Sequence, residues 1–281
     1  MKLPISAIIL TYNEEQNIQA CLDSVKDFVR DIFIVDSFST DQTSSMVKQY
    51  TDKIFQHEFE NYGKQRNWAL DNLPIKTEWV LNLDADHRVS EKLRSELIEL
   101  FSGNIDNDIN GFLTSRKTMF LGKWIKHGGH YPVYHAVLFK KGYGFCENTN
   151  YDQHFIVKEK LKTTKGEIED IVTDSLSNFI SRHNRWASLE AVESLLNEEK
   201  NNQINQNYFG NPIERRRFLK KNIYMKLPIF VRPFIYFFYR YFLKLGFLDG
   251  KEGLIFHFLQ GLWFRFLVDA KIYEMKKKSK Q

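Results

Sequence analysis

Residues 78–86 read EWVLNLDAD, a short apolar run that ends in two carboxylates separated by one residue. The run is typical of a buried strand, and positions i and i+2 of an extended chain point to the same side. Asp84 and Asp86 are therefore expected to face one cation together. Mg²⁺ takes oxygen ligands and usually binds one or two carboxylates plus substrate phosphates. A polar turn that caps the next helix explains the same residues equally well, since Asp is common at such turns.

The chain before this run alternates between predicted strands and helices. Residues 4–10, 32–35 and 54–59 predict strands, and apolar residues at helical spacing follow each of the first two. The first helix carries its apolar residues at Ile18, Cys21, Leu22 and Val25. A third helix begins near Lys64, and Ser90 is the predicted N-cap of a fourth. This alternation predicts an α/β fold, with a mostly parallel sheet covered by helices on both faces.

Polar residues stand where three of the strands are predicted to end. Thr11 and Asn13 follow the first strand, Asp36 the second, and Asp84 and Asp86 the fourth. Ligands of parallel α/β sheets bind beyond the carboxyl ends of the strands. No glycine-rich turn follows the first strand, so the patterns typical of dinucleotide binding and of the P-loop are missing. We therefore expect a nucleotide that is held by side chains and a metal ion.

The length of 281 residues suits one large α/β domain with an appendage, or two small domains. We expect an α/β body over residues 1–210 and a basic, aromatic, helical region over residues 211–281. The polar segment 198–210 is the expected linker or exposed helix end. Cys21 lies on the apolar face of a predicted helix and Cys146 in a predicted loop, and neither needs a disulfide. A reducing compartment follows, and no signal peptide is expected because the first strand begins at once.

The C-terminal region combines positive charge with aromatic side chains. The net charge of the chain is only +5, but ten lysines and arginines and a single acid, Asp249, lie between Arg215 and Lys251. Eight aromatic residues fall between Phe230 and Phe242. No uncharged stretch approaches the roughly 20 residues that a spanning helix needs. The pattern favours a helix that lies on an anionic membrane surface. A helical subdomain packed on the body is the alternative.

The middle of the chain is less regular. Residues 111–115 and 135–139 predict strands, and the glycine-rich segment 120–134 between them predicts a mobile loop. Residues 183–186, with the sequence HNRW, stand just before another predicted helix.

Three motifs together resemble the family-2 inverting glycosyltransferases with a GT-A fold. They are IILTYNEE at 8–15, IVDSFSTD at 34–41 and LDAD at 83–86, and they cover roughly the first hundred residues. The later part, from HNRW at 183–186 through LGFLDG at 245–250, resembles the branch that builds lipopolysaccharide cores, capsules and exopolysaccharides. The resemblance implies transfer of a sugar from a nucleotide-sugar, expected to be a UDP-sugar, to a hydroxyl of a glycan or lipid-linked acceptor. It places the protein in the cytoplasm, on the inner face of the cell membrane.

The resemblance also implies roles for individual residues. The nucleotide-sugar would be held by Thr11, Tyr12, Asn13, Glu14, Asp36, Lys64, Arg66, Asn67, Asp84, Ala85 and Arg185. Within this set, Asp36 accepts from the base, and the segment 64–67 closes over the uridine and ribose. Asp86, with Asp84, binds a Mn²⁺ or Mg²⁺ ion that bridges the diphosphate. His87 stands where the family pattern leads us to expect an acidic or polar residue. It is either a solvated loop histidine or a further ligand.

The chemistry also requires a general base, because an attacking sugar hydroxyl must lose its proton. The candidates are Glu147, Asp152 and His154. We favour Asp152, which partial burial beside Tyr151 and Phe155 would suit to proton transfer, and expect Glu147 to be exposed.

Arg185 is expected to contact the diphosphate or an acceptor phosphate, with Trp186 packed beneath it, because the planar guanidinium suits phosphate. An ordinary helix N-terminus with a buried Trp is the alternative.

Two other functions remain open. A sugar-1-phosphate nucleotidyltransferase also uses an α/β sheet, but it needs a glycine-rich, basic loop that residues 11–15 do not supply. A non-catalytic, membrane-bound scaffold with a decayed site would keep the same fold. No recognisable nucleic-acid-binding module is present, so no nucleic-acid partner is expected. The sequence leaves the transferred sugar, the acceptor and the oligomeric state open.

Overall fold

The computed structural model describes residues 2–103, 105–149, 151–173, 175–196, 204 and 206–279. The strands are β1 (Leu3–Thr11), β2 (Val29–Asp36), β3 (Ile54–Gln56), β4 (Trp79–Asp84), β5 (His87–Val89), β6 (Ile109–Phe120), β7 (Lys123–Trp124), β8 (Val133–Lys140), β9 (Gly144–Cys146), β10 (Phe155–Val157) and β11 (Lys160–Thr173). The α-helices are α1 (Ile18–Val25), α2 (Thr43–Val47), α3 (Tyr62–Asn72), α4 (Glu91–Ser102), α5 (Leu176–Leu195), α6 (Pro212–Asn222), α7 (Arg232–Phe238), α8 (Gly250–Phe256) and α9 (Phe264–Lys278). Two π-helical segments, Tyr239–Leu243 and His257–Trp263, continue α7 and α8, and 3₁₀ turns occupy Tyr224–Lys226 and Gly246–Asp249.

The main sheet has the strand order β3-β2-β1-β4-β8-β6-β11-β5, with β7 paired to β6, and β9 and β10 form a separate pair. The strands from β3 to β4 in this order are parallel, whereas β4 pairs antiparallel with β8, and β5 antiparallel with β11. The predicted α/β fold is confirmed, and its parallel half carries the three polar strand ends. The register sets Thr11 opposite Asp36, and Leu10 opposite Asp84. The three ends are therefore level with one another.

Local sequence signals explain the helices that flank this half. All four apolar residues predicted for α1 are buried. The side chain of Ser90 accepts a hydrogen bond from the backbone N–H of Leu93, as expected of the predicted N-cap of α4. The same device begins α5, where Ser175 accepts from the N–H of Asn178. Residues 183–186 consequently lie in the middle of a long helix, and the expectation that they precede one is wrong.

Several predicted segments have other bounds in the structure. The segment 120–134, expected to be a mobile loop, contains β7, which pairs with the end of β6. Cys146 lies in β9 rather than in a loop, and both cysteines are buried and free. The strand β11 had no counterpart among the predictions. The expected linker at 198–210 lies mostly outside the described residues.

The chain separates into two compact units. The first unit comprises Met1–Arg116, Tyr134–Asn148 and Gln153–Asp170, and the second comprises Lys117–Val133, Thr149–Asp152 and Ile171–Gln281. In the second unit, α5 packs against α9 through Ala187, Ala191, Phe264, Val268 and Ile272. The boundary expected at 210/211 stays a prediction, since compactness groups α5 and two short earlier segments with the C-terminal residues. Within the described residues, no helix is both long enough and apolar enough to cross a membrane.

Candidate active site

Two carboxylates and an imidazole meet where β4 ends. Asp84 is the last residue of β4, Asp86 follows in the turn, and His87 begins β5. Ligand atoms of these three residues lie within 4.8 Å of one another. Among the described residues, this is the one group of three or more such side chains close enough to hold a metal ion. Two carboxylates are the donor set that Mg²⁺ and Mn²⁺ accept in proteins, so the residues fit a hard cation.

Arg66 of α3 fixes the first of these carboxylates. Its guanidinium is completely buried and donates to the carbonyls of Ile8 and Leu83, at 3.2 and 2.7 Å. It also donates to Oδ1 of Asp84 at 2.5 Å. Burial alone would raise the pKa of Asp84, but Arg66, followed by His87 and Arg116, outweighs burial and lowers it. Asp84 is therefore held in one place and ionised at neutral pH.

His87 orients the same carboxylate from the other side. Its Nδ1 accepts from the backbone N–H of Asp84 at 3.1 Å, so in the neutral ring the proton is on Nε2, which lies 3.7 Å from Oδ2 of Asp84. Burial lowers the pKa of His87, which keeps the ring neutral. The expectation of a solvated loop histidine is wrong, because β5 pairs with β11 and buries the ring. The alternative of a further ligand stays a prediction, since a ring nitrogen of His87 lies within 4.8 Å of the carboxylate oxygens of Asp84 and Asp86.

The loops after β1 and β2 are held together by side chains. Oδ1 of Asn13 accepts from the N–H of Thr40 at 2.8 Å, and the N–H of Asn13 donates to Oγ of Ser39 at 2.9 Å. Ser39 in turn donates from its N–H and its hydroxyl to the two carboxylate oxygens of Asp36, at 3.1 and 2.5 Å. Asn13 has a φ of 53°, a left-handed conformation that Asn adopts more readily than most residues. The polar ends of β1 and β2 therefore form one preorganised cradle.

Three other residues predicted to bind the nucleotide lie beside this cradle. The hydroxyl of Thr11 is buried and has no hydrogen-bond partner within the described part of the chain. Tyr12 is more than half exposed, so its ring is available for stacking. Glu14 contributes to the local structure, because its carboxylate accepts from the side-chain amide of Asn17 at 2.8 Å and its N–H donates to Thr43.

The side chains of the segment 64–67 make several contacts within the protein. Besides Arg66, the side chain of Asn67 faces inward. It accepts from the N–H of Cys146 at 2.7 Å and donates to the carbonyl of the same residue at 2.9 Å. Lys64 is exposed and pairs with Glu60 on the surface. Arg66 and Asn67 both bind protein groups, since α3 packs them against neighbouring strands, and their contacts with a nucleotide stay predictions.

Glu147 follows β9 and is completely buried, so the expectation that it is exposed is wrong. Its carboxylate accepts from the N–H of His154 at 2.9 Å, and its N–H donates to the carbonyl of His154 at 2.9 Å. The ring of His154 stacks on that of His135, with ring centroids 5.1 Å apart and an interplanar angle of 6°. A Cβ on Gly63 of α3 would lie only 2.2 Å from the carbonyl oxygen of Glu147. The backbone of Glu147 thus rests directly on the helix that carries Arg66.

Asp152, the favoured base, belongs to the second unit. It has a φ of 59°, and its partly exposed carboxylate pairs with Nζ of Lys220 at 3.3 Å. Lys220 also pairs with the buried Glu190 at 3.0 Å. An ion pair stabilises the charged carboxylate and makes it a weaker proton acceptor.

Arg185 also belongs to the second unit, where it is exposed on α5. The side chain stacked over Trp186 is Arg182, 5.1 Å from the ring centroid, and not Arg185. The expected pairing is wrong, because residues 182 and 186 are one helical turn apart and so share a face.

The structure also shows site residues that the sequence did not reveal. Arg116 of β6 donates to Asp170 of β11 at 3.2 Å. A small cavity of about 10 Å³, roughly the room that one water molecule needs, is lined by Arg116 together with His87, Thr114, Ser115, His135, Val137 and Ile168. Arg116 and Asp170 are 54 residues apart in the sequence, so no local sequence pattern predicts that they pair.

The geometry agrees with what known sequences indicate. The sequence profile of glycosyl transferase family 2 matches residues 6–157, more than half of the chain, and includes every member of the carboxylate cluster and of the cradle. The chain belongs to glycosyl transferase family 2. The predicted GT-A fold accordingly holds for this glycosyltransferase.

Relatives match this glycosyltransferase over nearly its whole length. The lipopolysaccharide core biosynthesis glycosyltransferase LpsC of Rhizobium meliloti is 29% identical over 97% of this chain and 93% of its own. An uncharacterized glycosyltransferase of Rickettsia typhi is 27% identical over 98% of this chain and 89% of its own. Among solved structures, S. aureus TarS residues 1–349 in complex with UDP matches this chain at 16% identity with a TM-score of 0.43. The match covers 100% of this chain and 92% of the TarS chain.

Proposed function

We propose that this glycosyltransferase moves a sugar from a UDP-sugar to a hydroxyl of a glycan or lipid-linked acceptor, with inversion, in the synthesis of a cell-surface polysaccharide such as a lipopolysaccharide core. The observation that carries the proposal is the meeting of Asp84 and Asp86 at the strand edge that also presents the Asn13–Asp36 cradle. The length of the match to a lipopolysaccharide core glycosyltransferase supports the pathway. The protein would work in the cytoplasm, on the inner face of the cell membrane.

The two carboxylates would hold a Mn²⁺ or Mg²⁺ ion. When bound, such an ion takes up negative charge that develops on a diphosphate leaving group. Arg66 and His87 prepare the site, because both hold Asp84 in place and the charge of Arg66 keeps it ionised.

The cradle would hold the nucleoside. Asp36 and Asn13 already bind the loop between them, so little order must be imposed when a ligand arrives. The buried hydroxyl of Thr11 offers a hydrogen bond, and the exposed ring of Tyr12 offers a stacking surface. Lys64 and Arg185 are both exposed, and their contacts, Lys64 with the uridine and ribose and Arg185 with a phosphate, stay predictions.

Glu147 is proposed as the general base in preference to Asp152. It lies in the same unit as the carboxylate cluster, and its carboxylate is completely buried and accepts from the N–H of His154. In a single displacement, the acceptor oxygen attacks the anomeric carbon while its proton passes to a Glu147 oxygen and the nucleoside diphosphate leaves. Inversion results from this one step, and no protein nucleophile is needed.

A thermal-shift panel of UDP, GDP, CDP and dTDP, each with Mn²⁺, tests the donor class. A ligand at a hundred times its Kd stabilises the folded state by about 2.7 kcal/mol, so UDP should stand out. Asp86→Ala should lose the Mn²⁺-dependent part of this shift and the release of UDP from UDP-sugars. Asp71→Ala, an exposed carboxylate of α3, is the matched control and should behave as the wild type.

Each alternative gives a different result in this panel. Stabilisation by another nucleotide and not by UDP would refute the donor class. Binding without turnover of any donor would indicate a scaffold. Formation of a nucleotide-sugar from UTP and a sugar-1-phosphate would indicate a nucleotidyltransferase.

A further inference from the structure

α7 and its π-helical continuation form one helix from Arg232 to Leu243. This helix buries two arginines and exposes many of its apolar side chains. Arg232 and Arg240 are each only 4% exposed. Six large apolar or aromatic side chains of the same helix are between 44% and 65% exposed. They are Phe234, Ile235, Phe238, Tyr239, Phe242 and Leu243. A helix of a water-soluble protein normally turns its apolar residues inward.

The buried arginines fix this orientation. Nε of Arg232 donates to Asp269 of α9 at 2.8 Å, and this fully buried carboxylate also accepts from the N–H of Phe230. Nε of Arg240 donates to the carbonyl of Gly128 at 2.7 Å. Rotating the helix to hide its apolar side would break these bonds and leave Asp269 buried without its cation, which is strongly destabilising. The apolar side must therefore face outward.

The exposed side continues beyond the helix. Leu245, Phe247 and Leu248 in the next turn are each at least 45% exposed. Phe266 of α9, itself 40% exposed, extends it on the other side, since its ring centroid lies 6.2 Å from that of Phe234. We call these ten residues the aromatic face: the six of the helix, Leu245, Phe247, Leu248 and Phe266. A contiguous apolar patch on this scale marks an interaction surface.

We propose that the aromatic face binds the surface of an anionic lipid bilayer. This deepens the proposed function, on which it rests, by naming the surface through which the enzyme reaches the membrane. Lys226, Lys244 and Lys251 are exposed in the segment of the chain that carries most of the face, and the one acid between residues 226 and 251, Asp249, is buried. Twelve helical residues extend for about 18 Å, too short to span a bilayer. The helix would lie flat, with its rings among the acyl chains and the lysines at the headgroups.

The charges favour a bilayer over a second copy of the chain. A symmetric dimer through this face would bring the lysines of both copies together, with no exposed acid of the same stretch to offset them. Anionic headgroups supply that missing charge. The structure also refines the sequence-based expectation, because Arg232 and Arg240 are used inside the protein and the exposed cations between residues 226 and 251 are lysines.

Flotation of the full chain with lipid vesicles tests the proposal. The wild type should bind vesicles of equimolar phosphatidylcholine and phosphatidylglycerol, and bind pure phosphatidylcholine more weakly. The triple variant Phe238→Gln/Phe242→Gln/Leu243→Gln, which keeps the net charge, should lose binding to both. The matched control Ile180→Gln/Leu189→Gln/Val192→Gln changes apolar residues of α5 that are also 38% to 41% exposed, and should bind as the wild type does.

The contribution of the lysines is tested by replacing them one at a time. Lys244→Gln and Lys251→Gln should each weaken binding to the anionic vesicles about fivefold and leave binding to phosphatidylcholine unchanged.

Equal flotation of the wild type and the first triple variant would overturn the proposal, and so would a wild type that binds no anionic vesicles. A wild-type dimer in solution that the triple variant converts to a monomer would assign the face to a second copy instead. Donor turnover without vesicles, measured as UDP release, keeps the two proposals apart. A variant that turns over the donor but does not float fails only at the membrane.

Discussion

The buried guanidinium of Arg66 lies 2.5 Å from Oδ1 of Asp84. This pair joins α3 to the last residue of β4, the strand at which the parallel part of the sheet meets the antiparallel part. Because the same guanidinium also binds the carbonyls of Ile8 and Leu83, the position of the carboxylate is set by two strands at once. A metal ion would meet a ligand that is already in place, and that preorganisation is the basis of the first prediction.

Replacing Arg66 by lysine should weaken both the fold and the metal site. One ammonium group cannot reproduce the planar fork that reaches three oxygens, so buried acceptors are left without donors. We expect a loss of about 3 kcal/mol in the free energy of unfolding and at least a tenfold weaker affinity for Mn²⁺. Urea unfolding and Mn²⁺ titration measure the two effects. Arg94→Lys, on the surface of α4, is the control, and unchanged Mn²⁺ affinity in Arg66→Lys would contradict the prediction.

The two candidate bases are separated by a pair of isosteric variants. Glu147→Gln should keep the affinity for UDP and lose at least about a hundredfold in kcat, because an amide cannot take the acceptor proton. Asp152→Asn should change kcat by less than about threefold, since its carboxylate serves an ion pair with Lys220. Steady-state kinetics and UDP titration of both variants provide the comparison. The opposite result would restore Asp152 as the base.

Gly63→Ala should disturb Glu147 without touching its side chain. The new Cβ would lie 2.2 Å from the carbonyl oxygen of Glu147, and a backbone atom cannot move aside cheaply. We expect about 1–3 kcal/mol of destabilisation, as for other overpacked sites, together with a lower kcat. Thermal unfolding and kinetics measure both. Gly103→Ala is a suitable control, because its Cβ would lie 3.8 Å from the carbonyl oxygens of Glu99 and Leu100, an ordinary contact distance.

The second unit should become less stable as the pH is lowered below 6.5, before the carboxylates begin to take up protons. Burial lowers the pKa of His183 and of His257 from 6.5 to about 4. The folded state therefore keeps both rings neutral, whereas the unfolded chain takes up protons below pH 6.5, so stability declines as pH falls from 6.5 towards 4. A group with this shift contributes up to about 3 kcal/mol.

Urea midpoints at pH 7, 6 and 5 should show this slope in the wild type. The slope should be about halved in His183→Gln, whatever the absolute stability of that variant. A wild-type protein with no change in midpoint between pH 7 and 5 would refute the assignment.

The sequence predicted those parts of the molecule in which the buried positions are the periodically spaced apolar residues. The helix α1 and the parallel strands are of this kind, since every predicted apolar position of α1 is buried. The buried arginines Arg66, Arg232 and Arg240 violate that spacing. Each is held by a partner on another element, between 37 and 112 residues away for Arg232 and Arg240, and such partners leave no local trace. For the same reason the Arg116–Asp170 pair was missed, and Asp152 was preferred to a Glu147 whose burial depends on His154 and Gly63.

Both cysteines of the chain are expected to react very slowly with thiol reagents. Cys21 packs in α1 and Cys146 in β9, and burial raises the pKa of each thiol to about 12. At neutral pH roughly one such thiol in a hundred thousand is ionised, against a few per cent for an ordinary cysteine. Maleimides and other thiol reagents should therefore leave both cysteines of the native protein unmodified. A single cysteine introduced on its surface becomes the one point at which a fluorophore or spin label attaches, with no need to remove the two that are there.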